Sequence, residues 1–215
     1  MLRYSRPIRL FAAVLSAMAG FVDAAGFLHL GGFFVSFMSG NSTRLAVAAA
    51  QGRPLTAGAL IAAFVVGVTL GALAARRAPA RLRAAMVLTL VAVLLAAAAV
   101  LGAMGMALAA GVAMALAMGA ENGVFATEDE VHIGLTYMTG TLVKLGQRLA
   151  GALTGGDRLA FLPYLGLWAG LVAGAVAGAA AYGALGARCF WIAAMVAAGL
   201  AVVALRIGEL RPTQG

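Results

Sequence analysis

Long runs of apolar residues separate short polar clusters along most of this chain. The segments 84–120 and 159–187 contain no charged residue, and each is long enough to include a helix that crosses a bilayer. A soluble domain would expose such runs to water, so the pattern predicts an all-α integral membrane protein. We predict six membrane-spanning helices, at Leu10–Leu28, Leu55–Ala75, Ala84–Ala103, Leu108–Phe125, Leu159–Leu185 and Phe190–Leu205.

Two similar polar motifs interrupt the apolar pattern, one in each half of the chain. FMSGNSTRLA occupies 37–46 and YMTGTLVKLG occupies 137–146, so that Ser39 and Thr139 are equivalent and 100 residues apart (139 − 39). Each motif opens a short helix-forming segment that stops at glycine. The first segment reaches roughly 18 Å at about 1.5 Å per residue, against a hydrocarbon core of about 30 Å. We therefore predict half-helices at 40–51 and 140–154, with Ser39 and Thr139 as N-caps.

The duplicated motif also predicts an internal repeat. Repeat one covers 1–106 and repeat two covers 107–215, each with three spans and one half-helix. Because three is an odd number, the second repeat enters the membrane in the opposite sense, and the repeats are inverted. GVTLG at 67–71 and GLVAG at 170–174 lie in the corresponding second spans and support this alignment. Their glycines are expected to let helices pack closely.

The basic composition fits a membrane topology better than nucleic-acid binding. Hydrophobic residues make up 64% of the chain, charged residues make up 10%, and the net charge is +8. The Lys and Arg residues flank the apolar runs and do not form one patch. With six spans and a cytoplasmic N-terminus, twelve of them fall inside and three outside, in agreement with the positive-inside rule. Both termini are therefore predicted to be cytoplasmic, and nucleic acid is not an expected partner.

The two motifs together predict a solute-binding site. The N-terminus of a half-helix presents unpaired N–H groups and a positive dipole end, and two such ends facing each other would attract an anion. The predicted binding residues are Ser39, Gly40, Asn41, Arg44, Thr139, Gly140, Thr141 and Lys144. The alternative is structural: these groups cap the half-helices, and the basic side chains extend to the membrane interface.

Two acidic residues lie within predicted spans, Asp23 in the first and Glu121 in the fourth. The two positions are equivalent if a two-residue shift between the repeats is allowed. A carboxylate at membrane depth is costly, so each is a candidate for proton uptake coupled to solute movement. The alternative is that Asp23 pairs with Arg44 and Glu121 pairs with Lys144, in which case the acids are structural.

The sequence contains no recognisable catalytic or metal-binding motif. Cys189 is the single cysteine, and the two histidines, His29 and His132, lack the spacing of a metal site. A phosphate-binding glycine loop and a nucleophile motif are also missing. The sequence therefore favours a non-enzymatic protein without a metal or another cofactor.

The stretch GFVDAAGFLHLGGFFVSFMSGNSTRLA, with the later MTGTLVKLG and six apolar segments, resembles the YoaK family of bacterial membrane proteins. The resemblance covers nearly the whole chain and implies a six-span protein of the bacterial inner membrane whose biochemical activity is not established. Members typically have Thr-Gly-Asn in the first motif, where this chain has Ser39, Gly40 and Asn41. In the fourth span they usually have Gln-Asn, where this chain has Glu121 and Asn122.

These observations lead us to expect a transporter or channel for a small anionic or carboxylate-bearing solute. The solute would bind between the opposed half-helix ends, with proton coupling through Asp23. The expected partners are the lipid bilayer, the solute and a second copy of the chain in a homodimer. The second hypothesis is a non-transporting membrane scaffold or assembly protein, in which both motifs only stabilise broken helices.

Overall fold

The computed structural model describes residues 4–52, 56–125 and 136–208, and all regular structure in these ranges is helical. Among the basic residues counted on the two sides of the membrane, Arg3, Arg53 and Arg211 lie outside the described residues, as does His132. The α-helices are α1 Arg6–His29, α2 Met38–Ala50, α3 Thr56–Arg77, α4 Arg83–Ala103, α5 Ala107–Glu121, α6 Met138–Leu153, α7 Leu162–Leu185 and α8 Phe190–Ile207. Short 3-10 segments lie at Ala80–Leu82, Asn122–Phe125 and Gly186–Cys189.

Five helical stretches in the described part of the chain are long and apolar enough to cross a membrane, which confirms the all-α, multi-pass class. The last stretch, Leu162–Ile207, has 46 residues. One straight helix of that length would extend about 69 Å, more than twice the hydrocarbon core. The stretch contains α7 and α8, joined by a 3-10 turn in which Gly186 has a φ of 56°. Since α7 packs beside α1 and α8 packs beside α4, the two helices occupy separate places.

Prolines and glycines set several helix ends. Both α1 and α7 have proline in the first turn, where a missing N–H removes no helical hydrogen bond. Helix α1 ends before Gly31 and Gly32, and α2 ends before Gly52; these glycines have positive φ, which strains any other residue. The half-helices α2 and α6 have 13 and 16 residues, and neither is long enough to cross the hydrocarbon core.

Two pairs of helices pack closely through glycine, α1 with α7 and α3 with α5. Glycines of α7 lie against backbone carbonyls of α1, with Gly170 at Ala13, Gly174 at Ala17 and Gly178 at Phe21. Glycines of α3 lie in the same way against α5, with Gly67 at Leu116 and Gly71 at Ala120. Residue numbers rise together along both contacts, so each pair of helices is parallel.

In each pair, the partner helix also has a glycine that lies against the first helix, and these contacts show which residues of the two pairs are equivalent. Gly20 of α1 lies against the carbonyl of Leu171, and Gly119 of α5 lies against the carbonyl of Phe64. The matching contacts therefore relate α1 to α5 by 99 residues (119 − 20) and α3 to α7 by 107 residues (171 − 64).

This register corrects one predicted alignment. By contacts, the segment 67–71 corresponds to 174–178, whereas the sequence comparison placed it opposite 170–174, one helical turn earlier. Glycine recurs every four residues along α7, so a turn-sized shift leaves the pattern of small residues almost unchanged.

The remaining long helices complete a core built largely from alanine, leucine and valine on α1, α4, α5 and α8. Helices α4 and α8 are antiparallel, because Gly102 at the end of α4 faces Phe190 at the start of α8. At the other end, Leu82 and Leu205 line a common groove. Helix α5 returns beside α4 after a turn at Gly105. The half-helices lie outside this core, α2 against α3 and α6 against α7.

Candidate functional site

After α1 the chain turns back into the protein and begins the first half-helix beside Asp23. The N–H groups of Val35 and Ser36 donate hydrogen bonds to Asp23 Oδ1, at 2.9 and 2.8 Å. Asp23 lies six residues before the end of α1 at His29, roughly 9 Å along the helix axis. The N-terminal end of α2 is therefore re-entrant, and protein groups satisfy its irregular backbone.

A second side chain, Asn41, fixes the same loop from the side of α2. Its Oδ1 accepts a hydrogen bond from the N–H of Phe34 at 3.1 Å, and its Nδ2 donates to the carbonyl of Phe34 at 2.7 Å. Asn41 is 0% exposed and is the only buried residue of α2. The predicted solute-binding amide thus has both of its polar groups engaged with the loop backbone.

The predicted N-caps of the half-helices are wrong by two residues. Helices α2 and α6 begin at Met38 and Met138, and their N-caps are Phe37 and Tyr137. Ser39 and Thr139 therefore lie within the first turns, where both are exposed.

The glycine of each motif has a packing role. A Cβ at Gly40 would collide with the ring of Phe37, and a Cβ at Gly140 would collide with the ring of Tyr137. The aromatic ring three residues earlier therefore lies directly over each glycine. This contact explains the shared aromatic-x-x-Gly spacing of the two motifs, and it needs no bound solute.

The second half-helix has the same arrangement with neutral groups. The amide of Asn122 and the hydroxyl of Thr136 are hydrogen-bonded at 3.2 Å, and Asn122 Nδ2 also donates to the carbonyl of Met118 at 3.0 Å. Thr141 is buried, and its hydroxyl donates to the carbonyl of Tyr137 at 3.2 Å. The motif of the second half thus lies beside an amide, where the motif of the first half lies beside a carboxylate.

The contacts also correct the predicted equivalence of the two acids. The offset of 99 residues relates Asp23 to Asn122, since each contacts the residue two positions before its half-helix. The same offset relates Glu121 to Val22, which is an apolar core residue with 1% exposure. Asp23 and Glu121 are therefore two different features, each present in one half only.

The half-helices α2 and α6 are not in direct contact. No Cα atom of α2 lies within 8 Å of a Cα atom of α6, and both helices are described in full. The ends nevertheless have similar depths. Met114 of α5 lies beside Gly26 of α1. Counting back from Gly26 to Asp23 along α1 therefore places Asp23 level with about residue 117 or 118 of α5. The depths of Asp23 and Asn122 along the helix axes then differ by roughly 7 Å. The two half-helix ends, with Asp23 beside one and Asn122 beside the other, thus lie at similar depths without direct contact.

The predicted ion pairs are not formed among the described residues. The Arg44 guanidinium lies 5.5 to 5.8 Å from the ring centroids of Phe27, Phe33 and Phe34, within range of cation–π attraction. Asp23 instead accepts hydrogen bonds from loop backbone, and the carboxylate oxygens of Glu121 have no hydrogen-bond partner. Lys144 is exposed on α6.

Two grooves approach the first half-helix. A groove of about 300 Å³ lies beside Asp23, between α1, α7 and the re-entrant loop, and its other lining residues include Ala24, Phe34 and Leu171. A groove of about 430 Å³ lies along α2, with Arg44 and Gln51 among its lining residues. The first groove is apolar apart from Asp23, whereas the second has several polar groups.

Glu121, the last residue of α5, is 0% exposed, and both carboxyl oxygens lack a hydrogen-bond partner. The idealised cost of burying an isolated carboxylate is on the order of 20 kcal/mol, against about 2–7 kcal/mol for a neutral polar group without a partner. Within the described ranges, His, Cys, Asp and Glu side chains form no group of three or more that could hold a metal ion. The described surroundings thus supply no hydrogen bond to a negative charge at Glu121.

Comparison with known proteins agrees with this membrane architecture. Residues 11–203 match a family described as "Protein of unknown function (DUF1275)". The chain belongs to this family. A UPF0700 transmembrane protein of Rhizobium meliloti (strain 1021) is 34% identical to the DUF1275 chain over 200 residues, covering 91% of this chain and 85% of the relative. No solved structure matches. The family assignment confirms the resemblance to YoaK-like proteins.

One polar cluster of this DUF1275 protein has no clear signal in the sequence. His29 Nδ1 lies 3.1 Å from the Tyr182 hydroxyl, and the His29 ring packs edge-on against Phe190. The cluster joins the ends of α1 and α7 to the start of α8. Tyr182 lies 153 residues after His29, and nothing in the spacing of the two residues indicates that they meet. The hydrogen bond from Ser16 to the carbonyl of Leu167, which links α1 to α7, was missed for the same reason.

Proposed function

We propose that this DUF1275 protein is a proton-coupled membrane transporter for a small anionic or carboxylate-bearing solute. Its two halves, 1–106 and 107–215, would be inverted repeats of three spans each, in the bacterial inner membrane and with both termini in the cytoplasm. The proposal includes neither an enzymatic activity nor a cofactor. The observation that carries it is the position of the Asp23 carboxylate at the N-terminal end of a re-entrant helix, beside a groove.

Helix directions support the inverted repeat. If the two halves cross in opposite senses, the first span of each half runs parallel to the second span of the other half. This is the direction found for α1 with α7 and for α3 with α5, and the glycine contacts of the two pairs correspond residue by residue. Symmetry of this kind is typical of transporters that alternate access by moving one repeat against the other.

The hydrogen bonds of Asp23 suggest how a proton and an anion would move together. The carboxylate accepts from two N–H groups of the loop just before α2, and an anionic solute would bind to such N–H groups as well. A protonated Asp23 is a weaker acceptor for these N–H groups, because charge-assisted hydrogen bonds are about twice as strong as neutral ones. A solute carboxylate could then replace it. The proton and a monovalent anion would enter together, and the net charge of the site would stay the same.

The absence of contact between α2 and α6 changes one part of the expected mechanism. A solute between the two half-helix ends would have to fill the gap that separates them, so we propose that it binds at one half-site at a time. Arg44 lines the groove along α2 and would attract the anion there. Lys144 is exposed on the equivalent half-helix and would do the same on the other side of the membrane. Ser39 and Thr139, both exposed in the first turns, are available to donate hydrogen bonds to the solute.

Flux into proteoliposomes tests the proposal directly. Purified full-length protein would be reconstituted and supplied with a panel of small carboxylates and inorganic anions, with and without an inward proton gradient. The native chain is expected to move at least one of these solutes faster when the gradient is present. Asp23→Asn should abolish the effect of the gradient, because the amide keeps an acceptor oxygen but cannot take up a proton.

Matched variants make the outcome specific. Asp157→Asn changes an exposed acid and should leave flux and its pH dependence unchanged. Arg44→Ala and Lys144→Ala should each slow the flux. Normal flux in both variants would show that these cations have no role in the mechanism. If the native chain moved no solute of the panel, transport itself would be contradicted.

The scaffold hypothesis has one observation in its favour. Asp23 and Asn41 direct their hydrogen bonds to the backbone of the loop 34–36, which is what a purely structural role requires. A scaffold predicts that Asp23→Asn alters stability while no solute moves through the native protein. A homodimer is part of the transport proposal. A native mass equal to one chain in a mild detergent would reject the homodimer.

A further inference from the structure

We propose that Glu121 is a proton-binding site of the folded protein, and that its carboxyl group is neutral at neutral pH. This inference does not rest on transport. A protein that moved no solute would still hold this proton, and a transporter that used Asp23 alone would not need it.

The geometry separates Glu121 from every other described acid. Its side chain is 0% exposed at the end of α5, which packs against α1, α3 and α4. Neither oxygen has a hydrogen-bond partner. By contrast, Asp23 accepts two backbone hydrogen bonds, and Asp157 is exposed and accepts one from the N–H of Leu159. A carboxylate is an acceptor-only group, so Asp23 and Asp157 suit the ionised form and Glu121 does not.

Charged groups on the surrounding helices provide no hydrogen bond to a negative charge at Glu121. Those on the helices packed against α5 are Arg6, Arg9, Asp23 and His29 on α1, Arg76 and Arg77 at the end of α3, and Arg83 at the start of α4. None of them donates a hydrogen bond to the carboxyl oxygens of Glu121. A proton on the group itself therefore removes a charge that no donor stabilises by a hydrogen bond.

The first half of the chain shows what the fold requires at this position. By contacts, the residue equivalent to Glu121 is Val22, which is buried among apolar side chains. The fold therefore accepts a neutral, apolar group at this place. A protonated glutamic acid is the form of Glu that comes nearest to such a group.

Infrared difference spectroscopy on the purified, full-length protein tests the protonation state. A protonated carboxylic acid has a carbonyl stretch above the amide I band, and this band shifts on exchange into D₂O. We expect the band in the native chain at neutral pH, its loss in Glu121→Gln, and its retention in Asp23→Asn. Absence of the band from the native chain, or its persistence in Glu121→Gln, would overturn the proposal.

The pH dependence of unfolding is an independent readout. An unfolded chain releases this proton above about pH 4.3, the ordinary value for Glu, while the folded protein keeps it. Unfolding then releases a proton, so native stability falls as pH rises. Relative to Glu121→Gln, the unfolding equilibrium constant should increase about tenfold for each pH unit until the folded protein also loses the proton. A difference that stays constant between pH 5 and pH 8 would contradict the proposal.

A bound cation is the competing explanation for a buried carboxyl group. Replacing sodium and potassium with N-methylglucamine in both measurements distinguishes the two. A carbonyl band and a stability curve that do not depend on the cation support the proton. A carboxylate spectrum that depends on sodium or potassium would contradict the proposal and assign the site to a metal cation.

Discussion

At the scale of single residues, the sequence located the important polar groups but not their partners. Asp23 and Asn41 stood out because polar residues are rare within apolar segments. Their partners are backbone groups of the loop 34–36, which have no side-chain signature. The backbone groups that face Asp23 depend on how far the chain turns back after α1. The turn contains Gly31 and Gly32, both with positive φ. Ion pairs with Arg44 or Lys144 were the only partners that sequence could suggest.

Asp23 provides the first prediction. Asp23→Ala removes the acceptor for the N–H groups of Val35 and Ser36 and leaves them buried without a partner, at about 1–3 kcal/mol each. We expect a loss of about 2–5 kcal/mol in the free energy of unfolding. Asp23→Asn keeps an acceptor oxygen and should lose roughly 1–2 kcal/mol. Thermal or denaturant unfolding in detergent micelles measures both. Equal losses in the two variants would show that the hydrogen bonds are not what Asp23 contributes.

Asn41 gives a second prediction on the same loop. Asn41→Ala leaves the N–H and the carbonyl of Phe34 unpaired, and we expect a loss of about 2–4 kcal/mol. Ser42→Ala is the matched control, because Ser42 is exposed and bonds only within its own helix; its effect should stay within about 0.5 kcal/mol. The same unfolding assay compares them. A small effect of Asn41→Ala would mean that water replaces the amide and that the loop is open to solvent.

At the scale of helices, sequence patterns predicted position and length well but register poorly. The spans predicted at Ala84–Ala103 and Leu159–Leu185 correspond to α4 and α7 within about three residues, because hydropathy and glycine stops depend on local sequence alone. The half-helices were found for the same reason. The helix pairing depends on which glycine meets which carbonyl. In a chain with a small residue at every turn, several registers fit the pattern equally.

The glycine contacts give a prediction that separates packing from helix propensity. A Cβ at Gly174 would collide with the carbonyl of Ala17, whereas a Cβ at Gly183, on the same helix, would meet nothing within 4 Å. Gly174→Ala must push α1 away from α7 and should cost about 1–3 kcal/mol. Gly183→Ala should be neutral or stabilising by up to about 1 kcal/mol, since alanine is the better helix former.

The two variants differ only in position along α7, so they share any general effect of adding a methyl group. Unfolding in detergent micelles or bicelles gives the two free energies. If Gly174→Ala were as stable as Gly183→Ala, α1 and α7 would not be in contact at this glycine. The offsets of 107 and 99 residues, and with the second the equivalence of Asp23 and Asn122, would then have to be revised.

At the scale of the whole molecule, the sequence predicted a multi-pass all-α protein because composition and charge distribution are global properties. The inverted arrangement is a stronger statement, and it depends on the side of the membrane that each loop faces. Helix α2 ends at a loop near Gln51, and α6 ends at a loop near Thr154; both residues are exposed. If the halves are inverted, these equivalent loops lie on opposite sides of the membrane.

Single-cysteine labelling tests this topology. The native Cys189 is buried, so Cys189→Ala provides a cysteine-free background, and Gln51→Cys and Thr154→Cys then introduce one thiol each. In intact cells, a membrane-impermeant maleimide should label Gln51→Cys and leave Thr154→Cys unlabelled, because Gln51 is predicted outside and Thr154 inside. Permeabilised cells should show labelling of both, which controls for accessibility. Labelling of both thiols from the outside would place the two half-helices in the same orientation. The resulting parallel repeat would contradict the directions of α1, α3, α5 and α7, since an odd number of crossings must separate equivalent helices of inverted halves.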